Sequence, residues 1–429
     1  MLPFLLDAHR RRALATSICA FLLALAIPGA AHAQVRGLTG TLVVTNKGPA
    51  TSTIIDVGSG RTLAELPTGD GPHEVVMTAD GRTAVVTDYG ARDDGSTLTV
   101  IDVPGLRVAR TIALGEYTRP HGIVFLPGDS LVAVTSETTG QVVIVHVADG
   151  AVRRAIPTRH RGSHMVAVTG DGFRLYTGDI GSNTVSELDA RSGAYVRSFE
   201  VPAQPEAVNV VPDGSEVWVG SNATGRVSVL NPRDGTVTTA AEGLGWPYRI
   251  LYSPDRRLVF LPDLRGETLR ILDRASRREL ERLAFPGGGP QGITITPDGR
   301  HVLQSLSRQS RVAIIDVDTR TVVDHLAAGT TPDGIAYSTR VLAAPPRREA
   351  GWSVPRGKTK RPLRQRRAIA PPRLDGAAAR PRNTRPAASA AGNCPSWART
   401  RTLLIQSQTC CQLHQGAVIC EPASAPQHH

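Results

Sequence analysis

The sequence predicts an all-β fold, a seven-bladed β-propeller, from three observations: a repeat, the strand pattern inside it, and the way its two ends fit together. The repeat starts where a glycine-rich or polar loop is followed by PHEV at 72, PHGI at 120, SHMV at 163, PEAV at 205, PYRI at 247, PQGI at 290 and PDGI at 332. These starts lie 42 to 48 residues apart. A period of this size is typical of propeller blades.

Each repeat contains four short runs of β-branched and other apolar residues. The repeat that starts at 205 reads AVNVV, then the turn VPDG at 211–214, then VWVGS and RVSVL, followed by a fourth run. Pro and Gly at such turns supply the backbone angles that a tight hairpin needs. Runs of this length without helical periodicity predict strands, and four strands per repeat predict one blade each.

The two ends of the repeat region complete each other. The first runs are TLVVTN at 41–46, STIIDV at 52–57 and RTLAELPTG at 61–69, which correspond to strands two, three and four without a first strand. The last run, PDGIAYS at 332–338, is a first strand without partners. Together they predict a blade that joins residues near 44 to residues near 335 and closes the ring, which removes open sheet edges.

The segments outside 34–340 differ in composition from the repeats. Residues 1–33 combine three arginines, an apolar run and AHA at 31–33, which predicts a secretory signal peptide on a periplasmic or secreted protein without a transmembrane anchor. Residues 341–429 are rich in Pro, Arg and Ala and predict a disordered tail, which a frameshift would also produce. Removing everything after Thr339 is therefore expected to change stability by less than about 1 kcal/mol.

The formal net charge of +11 comes from the ends of the chain. Residues 341–429 carry 15 basic and 3 acidic residues, whereas residues 34–340 carry 31 basic and 34 acidic residues and no cysteine. This composition argues against nucleic-acid binding by the propeller, which would require a basic surface. A region of about 300 residues has enough core to fold without disulfides.

One residue directly follows the Pro or Ser that opens each repeat, and none of the seven is apolar. Because first strands surround the channel of a propeller, these side chains are predicted to ring one of its mouths: His73, His121, His164, Glu206, Tyr248, Gln291 and Asp333. Six of them pair in the pattern with a residue 15 positions later, at the end of strand two, and Asp333 of the closing blade pairs with Asn46. The acidic members of that second set are expected just behind the mouth, the first of them beside His73: Asp88, Asp179 and Asp263. Arg249 is expected nearby as a partner for an anion.

Three histidines on adjacent blades leave three interpretations open. They are a solvated polar rim, a site for an organic or anionic ligand, and a site for a divalent metal, because neutral imidazoles bind Zn, Cu or Ni and Asp88 or Asp179 could complete the ligand set. The sequence contains no nucleophile elbow, zinc-protease helix, phosphate-binding loop or haem-attachment motif. No catalytic residue is therefore assigned.

The repeat resembles the YVTN-type β-propeller family over about 34–340. The resemblance is carried by VVTN at 43–46, VVTD at 85–88, SPDR at 253–256, TPDG at 296–299 and VIDV at 100–103. It implies the propeller fold but little about function, because relatives include binding and surface proteins, domains of redox enzymes and lactonase- or lyase-like enzymes.

The leading hypothesis is an exported module that binds an unknown small molecule or protein at one mouth. The alternative is a propeller enzyme of lyase or lactonase type, with a mouth-bound divalent metal as Lewis acid and a histidine as general base.

Overall fold

A computed structural model describes Val35 and residues 37–342 of the chain. These residues form seven antiparallel four-stranded sheets and contain no helix, so the predicted seven-bladed propeller is confirmed. None of their segments is a helix long and apolar enough to cross a membrane. The predicted signal peptide and the predicted tail beyond Leu342 lie outside the described residues.

The strands of each blade run from the channel outwards. The first strands, which contact one another around the channel, are β28 (Pro332–Ser338), β4 (Pro72–Met77), β8 (Pro120–Phe125), β12 (Ser163–Val168), β16 (Pro205–Val210), β20 (Leu251–Tyr252) and β24 (Pro290–Ile295). The second strands are β1 (Thr41–Asn46), β5 (Thr83–Asp88), β9 (Leu131–Ser136), β13 (Arg174–Asp179), β17 (Val217–Ser221), β21 (Leu258–Asp263) and β25 (His301–Leu306). The third strands are β2 (Thr51–Asp56), β6 (Thr97–Asp102), β10 (Gln141–His146), β14 (Thr184–Asp189), β18 (Arg226–Leu230), β22 (Thr268–Asp273) and β26 (Arg311–Asp316). The outermost strands are β3 (Arg61–Pro67), β7 (Arg107–Ala113), β11 (Val152–Pro157), β15 (Ala194–Glu200), β19 (Val237–Ala241), β23 (Glu279–Ala284) and β27 (Thr321–Ala327).

The ring closes through blade 1, whose strand order is β28-β1-β2-β3. Val44 of β1 lies opposite Ile335 of β28 in an antiparallel ladder. The predicted joint between the two ends is therefore confirmed, and the other six blades follow in chain order, from blade 2 (β4 to β7) to blade 7 (β24 to β27).

Apolar side chains fill the spaces between neighbouring blades. Val85 of blade 2 and Val134 of blade 3, for example, are both buried in one shared cluster. Strands two and three are covered on both faces because each blade packs against two neighbours, which explains their nearly continuous apolar sequences. The outermost strands are different: in β7 exposed positions alternate with partly buried ones and one buried one, as expected for a sheet with one side in water.

The two faces of the disc carry different connections. First strands begin on one face, which we call the mouth face; the loops between strands two and three and the loops between blades also lie there. The turns that join strand one to two and strand three to four lie on the opposite face, which we call the turn face.

The chain continues to pack against the propeller after β28. Leu342 is buried in the cluster between blades 1 and 2, beside Val43 and Ile54. Arg340 donates from Nε to the carbonyl of Asp80 at 2.7 Å. The stable unit therefore extends to Leu342, and the expectation that the chain can end after Thr339 without loss does not take this contact into account.

Candidate functional site

The seven predicted mouth residues all lie at or next to the starts of the first strands. Six of them are buried and His73 is partly buried, with His121 only 2 % and Asp333 0 % exposed. The structure thus places a closed polar cluster at this mouth rather than a solvated rim. We call it the mouth cluster; it also contains Lys47, Glu74, Tyr89, Glu137 and Arg249.

Hydroxyl groups on second strands fix the backbone of the mouth residues. Thr135 of blade 3 donates to the carbonyl of His164 in blade 4 at 2.7 Å, and Ser305 of blade 7 donates to the carbonyl of Asp333 in blade 1 at 2.8 Å. Thr45 of blade 1 donates to the carbonyl of His73 in blade 2 at 3.0 Å. Each bond joins two blades, so the mouth residues are held relative to one another as well as to their own strands.

The register of the first two strands differs by one residue from the prediction. Pro72, not His73, lies opposite Asp88, and a β-bulge follows before Val75 pairs with Val86. Side chains alternate between the two faces of a strand, so a shift of one residue turns the carboxylate of Asp88 away from the histidine. Asp88 instead accepts hydrogen bonds from Thr97 at 2.7 Å and Thr99 at 2.9 Å.

Asp179 and Asp263 behave in the same way. Asp179 accepts hydrogen bonds from Ser163, Thr184 and Ser186, and Asp263 accepts them from the backbone nitrogens of three residues, Gly245, Trp246 and Gly266. Burial raises the pKa of Asp88 and of Asp179 to about 6, against the opposing effect of these hydroxyl donors. The three carboxylates therefore hold the loops of their own blades and do not line the mouth cluster.

The same shift brings in residues that the sequence analysis missed. The residue after the end of strand two faces the channel, and in four blades it contacts a mouth residue. These contacts are Lys47 with Asp333, Tyr89 with His73, Glu137 with His164, and Asn222 with Glu206. For Tyr89 and Asn222 the signal was present in the sequence one position later than expected, at a spacing of 16 residues. Glu137 instead contacts the histidine of the next blade, and Lys47 and Asp333 meet through the closure of the ring.

On one side of the mouth cluster, four rings contact one another, partly stacked and partly edge to face. The ring of Tyr89 lies parallel to that of His73 with 4.4 Å between centroids. The ring of His121 meets His73 edge to face at 4.7 Å and stacks on His164 at 3.8 Å. This packing is close to ordinary aromatic contact, so the rings support one another in fixed orientations.

His164 lies between two carboxylates. Its Nδ1 is 3.1 Å from Oε2 of Glu137, and its Nε2 is 3.2 Å from Oε1 of Glu206. Burial alone would lower the pKa of His164, but the two carboxylates outweigh it and raise the pKa to about 10. Burial would likewise raise the pKa of Glu206, but the charge of His164 lowers it to about 2. The pair is therefore ionised at neutral pH.

His121 and His73 are in the opposite electrostatic situation. Burial, together with the positive charges of His164, Arg249 and Lys47, lowers the pKa of both imidazoles well below the usual value. Both rings are therefore neutral at pH 7.

A second group of charges faces the rings from blades 1 and 6. Arg249 forms ion pairs with Glu74 and, at 3.7 Å, with Glu206. Tyr248 donates to the carboxylate of Asp333 at 3.0 Å, and the amine of Lys47 lies 2.7 Å from the same carboxylate. Burial and the charge of Asp333 raise the pKa of Glu74 although Arg249 opposes them.

Arg119 covers the outer side of Tyr89. Its guanidinium donates to the hydroxyl of Tyr89 at 2.7 Å and to Asp94 at 2.6 Å. Its backbone adopts φ of 52° directly before Pro120, a left-handed conformation that costs a non-glycine residue about 1 kcal/mol or more. Glycine occupies the equivalent position, Gly71, in blade 2 with φ of 54°. Gln204 and Thr331 occupy the same position in two other repeats, with φ of 58° and 52°, so Arg119 is one of three non-glycine residues that adopt this strained conformation at this position.

Four nitrogen atoms in the mouth cluster are buried and make no hydrogen bond to any described residue. They are Nδ1 of His73, Nδ1 of His121, Nε of Arg249 and Nε2 of His164, of which the last faces Glu206 in an ion pair. A buried polar atom without a partner costs about 1–3 kcal/mol, and such atoms are rare in folded proteins. Within 37–342 no three His, Cys, Asp or Glu side chains are arranged to hold a metal ion.

The ion pair at His164 predicts a particular pH dependence of stability. Because the folded pKa of His164 is raised above its ordinary value near 6.5, its contribution is complete below pH 6.5 and is lost as the pH rises towards 10. We expect the urea midpoint of the wild type to fall between pH 7 and 10 by more than that of His164→Gln. His146→Gln, on the turn face, should retain the wild-type slope. Equal slopes in all three proteins would contradict this role of His164.

Clefts between blades also occur on the turn face, but they contain none of the predicted site residues. Four of them have volumes of 300 to 580 Å³. The largest lies between blades 2 and 3 and is lined by Val100, Arg110 and Val147 among others. Each of these clefts lies where two neighbouring blades pack against each other.

Comparison with known proteins supports the fold and little more. No family model matches the chain. One curated relative, Antigen Lp49 of Leptospira interrogans serogroup Icterohaemorrhagiae serovar copenhageni (strain Fiocruz L1-130), is 25 % identical over 190 residues, which are 39 % of this chain and 41 % of the relative. The match thus spans less than half the length of that relative.

Solved structures of similar fold come from several kinds of protein. Hydrazine synthase of Kuenenia stuttgartiensis matches with a TM-score of 0.53 and 18 % identity over 63 % of this chain and 90 % of that chain. A putative 6-phosphogluconolactonase of Bacteroides fragilis NCTC 9343 matches with a TM-score of 0.56 and 17 % identity over 70 % of this chain and 98 % of that chain. A functionally unknown protein of Desulfotomaculum acetoxidans DSM 771 matches with a TM-score of 0.57 and 16 % identity over 70 % of this chain and 99 % of that chain. At these identities the likeness shows that the chain has the β-propeller fold and leaves its function open.

Proposed function

We propose that the chain is an exported propeller of the YVTN-repeat type that binds a small polar ligand at the mouth cluster. The observation that carries the proposal is the presence of buried groups without hydrogen-bond partners in one polar cluster, above all His121 Nδ1 and Arg249 Nε. Inter-blade hydrogen bonds hold the backbone of the mouth residues, so the unpartnered atoms are fixed in place. A ligand that completes their hydrogen bonds would recover the energy lost by burying them.

The leader sequence and the curated relative support the export part of the proposal. Residues 1–33 have the pattern of a cleaved signal peptide, and the relative is named an antigen. Protein recovered from the periplasm or medium is expected to begin at Gln34. Recovery of uncleaved protein from the cytoplasm alone would count against export.

A thermal-shift screen tests the binding function. The purified protein would be melted with sugars, amino acids, nucleosides, organic acids and divalent metal salts, beside the double variant His73→Phe, His121→Phe. We expect one class to raise the melting temperature of the wild type by about 5 °C at a concentration near 100 Kd, and to leave the variant unchanged. The proposal fails if no class shifts the wild type, or if the variant shifts equally.

This variant is preferable to alanine replacement of His121 and His164. A solvated rim would tolerate that replacement, but His164 separates the carboxylates of Glu137 and Glu206. Its loss would remove the cation that lies between two buried carboxylates, which costs several kcal/mol. Loss of binding in that double variant would therefore not be separable from loss of folding.

An enzyme of lactonase or lyase type is the second candidate. One observation favours it: His121 is buried and its low pKa keeps the imidazole neutral, which is the form that a general base requires. Hydrolysis of δ-gluconolactone above the spontaneous rate, lost in His121→Phe, would support the enzyme. A rate equal to the spontaneous one would leave the binding module as the better description for this substrate class.

A further inference from the structure

The unpartnered atoms of the mouth cluster also indicate what kind of ligand it takes. This inference rests on the proposed function and narrows it. Arg249 is 7 % exposed, and its Nε carries a hydrogen at every accessible pH, so this atom can only donate. Donors require an acceptor, and a metal ion cannot satisfy them.

The histidines are compatible with the same kind of ligand. His121 is 2 % exposed, and its Nδ1 makes no hydrogen bond to a described residue. A neutral imidazole can place its single hydrogen on either nitrogen. Nδ1 of His121 can therefore become a second donor, and Nδ1 of His73, whose ring lies 4.7 Å from that of His121, a third.

The field around these atoms favours a negative ligand. The charges that act most strongly on the rings of His73 and His121 are those of Lys47, His164 and Arg249, all of which are positive. A metal cation beside these rings would be repelled by the same three charges, whereas an anion would be attracted. On this reasoning the divalent metal considered from the sequence is the weakest of the three interpretations.

We infer that the mouth cluster binds a small oxyanion, of the carboxylate class, through the side chains of Arg249, His121 and His73. Among anions, one with a single negative charge fits best. Four cations, Lys47, Arg119, His164 and Arg249, stand beside five carboxylates, Glu74, Asp94, Glu137, Glu206 and Asp333, so the ligand is attracted by the nearby donors and not by an excess of positive charge. A dianion such as hydrogen phosphate would add two negative charges to this group, whereas a carboxylate adds one.

Glu74 is the carboxylate that the ligand would compete with. It forms an ion pair with Arg249, and it follows His73 directly in the β-bulge at the start of β4. Replacing Glu74 by Gln would remove one negative charge and free part of the guanidinium. The anion is therefore expected to bind more tightly to Glu74→Gln and more weakly to His121→Phe, a pair of opposite effects that a merely structural role would not produce.

Isothermal titration of the full chain with sodium acetate, acetamide, inorganic phosphate and zinc chloride tests the inference. Acetate is expected to bind, and acetamide, which has the same shape without the charge, to bind at least about tenfold more weakly. His121→Phe should weaken acetate binding by about tenfold or more, His121→Gln by less, and Glu74→Gln should strengthen it several-fold. His146→Phe, on the turn face, should match the wild type.

Several results would overturn the inference. Tighter binding of phosphate than of acetate would show that the carboxylate class is wrong. Zinc binding that depends on His121 would show that the site takes a metal ion and not an anion. Equal affinity for acetamide and acetate, or no acetate binding at all, would also reject it. If the thermal-shift screen meanwhile shows a neutral compound whose effect depends on His73 and His121, the binding function stands and only the ligand class is wrong.

Discussion

A chain that ends after Thr331 is expected to lose its cooperative unfolding transition and to aggregate. This truncation removes β28, the first strand of blade 1, and leaves β1 as an open edge beside the channel. It also removes the buried side chains of Asp333, Ile335 and Ala336. The combined loss is comparable to the whole stability of a typical domain, about 5–15 kcal/mol, and an open edge favours pairing with other chains.

Two longer truncations serve as controls, and all three are compared by urea denaturation and light scattering. A chain that ends after Leu342 should unfold as the full chain does. A chain that ends after Thr339 should lose about 2 kcal/mol, since Leu342 leaves its site between blades 1 and 2. A wild-type urea midpoint for the chain ending at Thr331 would show that the ring does not need its closing strand.

Replacing Arg249 by Met is expected to lower the free energy of unfolding by about 3–5 kcal/mol. Arg249 is buried and pairs with Glu74 and Glu206. Methionine keeps much of the volume but removes the charge, so both carboxylates lose a cation in a poorly solvated place. Guanidinium denaturation at pH 7 measures the loss.

The matched control is Arg226→Met. Arg226 is exposed and lies 3.8 Å from Glu242, so its replacement should change stability by less than about 0.5 kcal/mol. The double variant Arg249→Met, Glu74→Gln should recover part of the lost stability, because the side chain at position 74 then carries no charge that needs a partner. Equal losses for Arg249→Met and Arg226→Met would mean that the ion pairs contribute nothing to stability.

The fold could be predicted from the sequence because each blade repeats the same short-range signals. The turn at 211–214 and the apolar runs around it specify one hairpin, and the period of the repeat then places the next blade. Closure followed from a simple count, since three strands at one end and one strand at the other make a complete blade. The ladder between Val44 and Ile335 confirms it.

The contacts of the mouth residues were harder to predict because a β-bulge interrupts the pairing of strands one and two. One extra residue between Pro72 and Val75 shifts the register, and a bulge re-aims the side chains next to it. The alignment of His73 with Asp88 was therefore off by one, and Tyr89 and Lys47 went unnoticed. Glu74 and Arg249 meet across the channel from blades 2 and 6, a contact that no local pattern can reveal.

Burial of the mouth was also beyond the sequence. A polar residue at the head of a strand is compatible with a wet loop and with a closed network, because the residue type is the same in both. What distinguishes them is whether partners of opposite charge converge from other blades. His164 finds Glu137 on blade 3 and Glu206 on blade 5, and that convergence depends on the curvature of the whole ring.

The ladder that closes the ring also determines how the propeller would respond to mechanical load. The chain enters the ring at Thr41 and leaves it at Ser338, and these two residues are opposite each other in the antiparallel pair β1–β28. A force that pulls the two ends apart would therefore break the ladder one pair at a time from Thr41, like a zipper, instead of shearing all its hydrogen bonds together. A tether attached at both ends would therefore pull on the turn face. The mouth cluster lies at the far end of the same two strands, so its part of the ladder would break last.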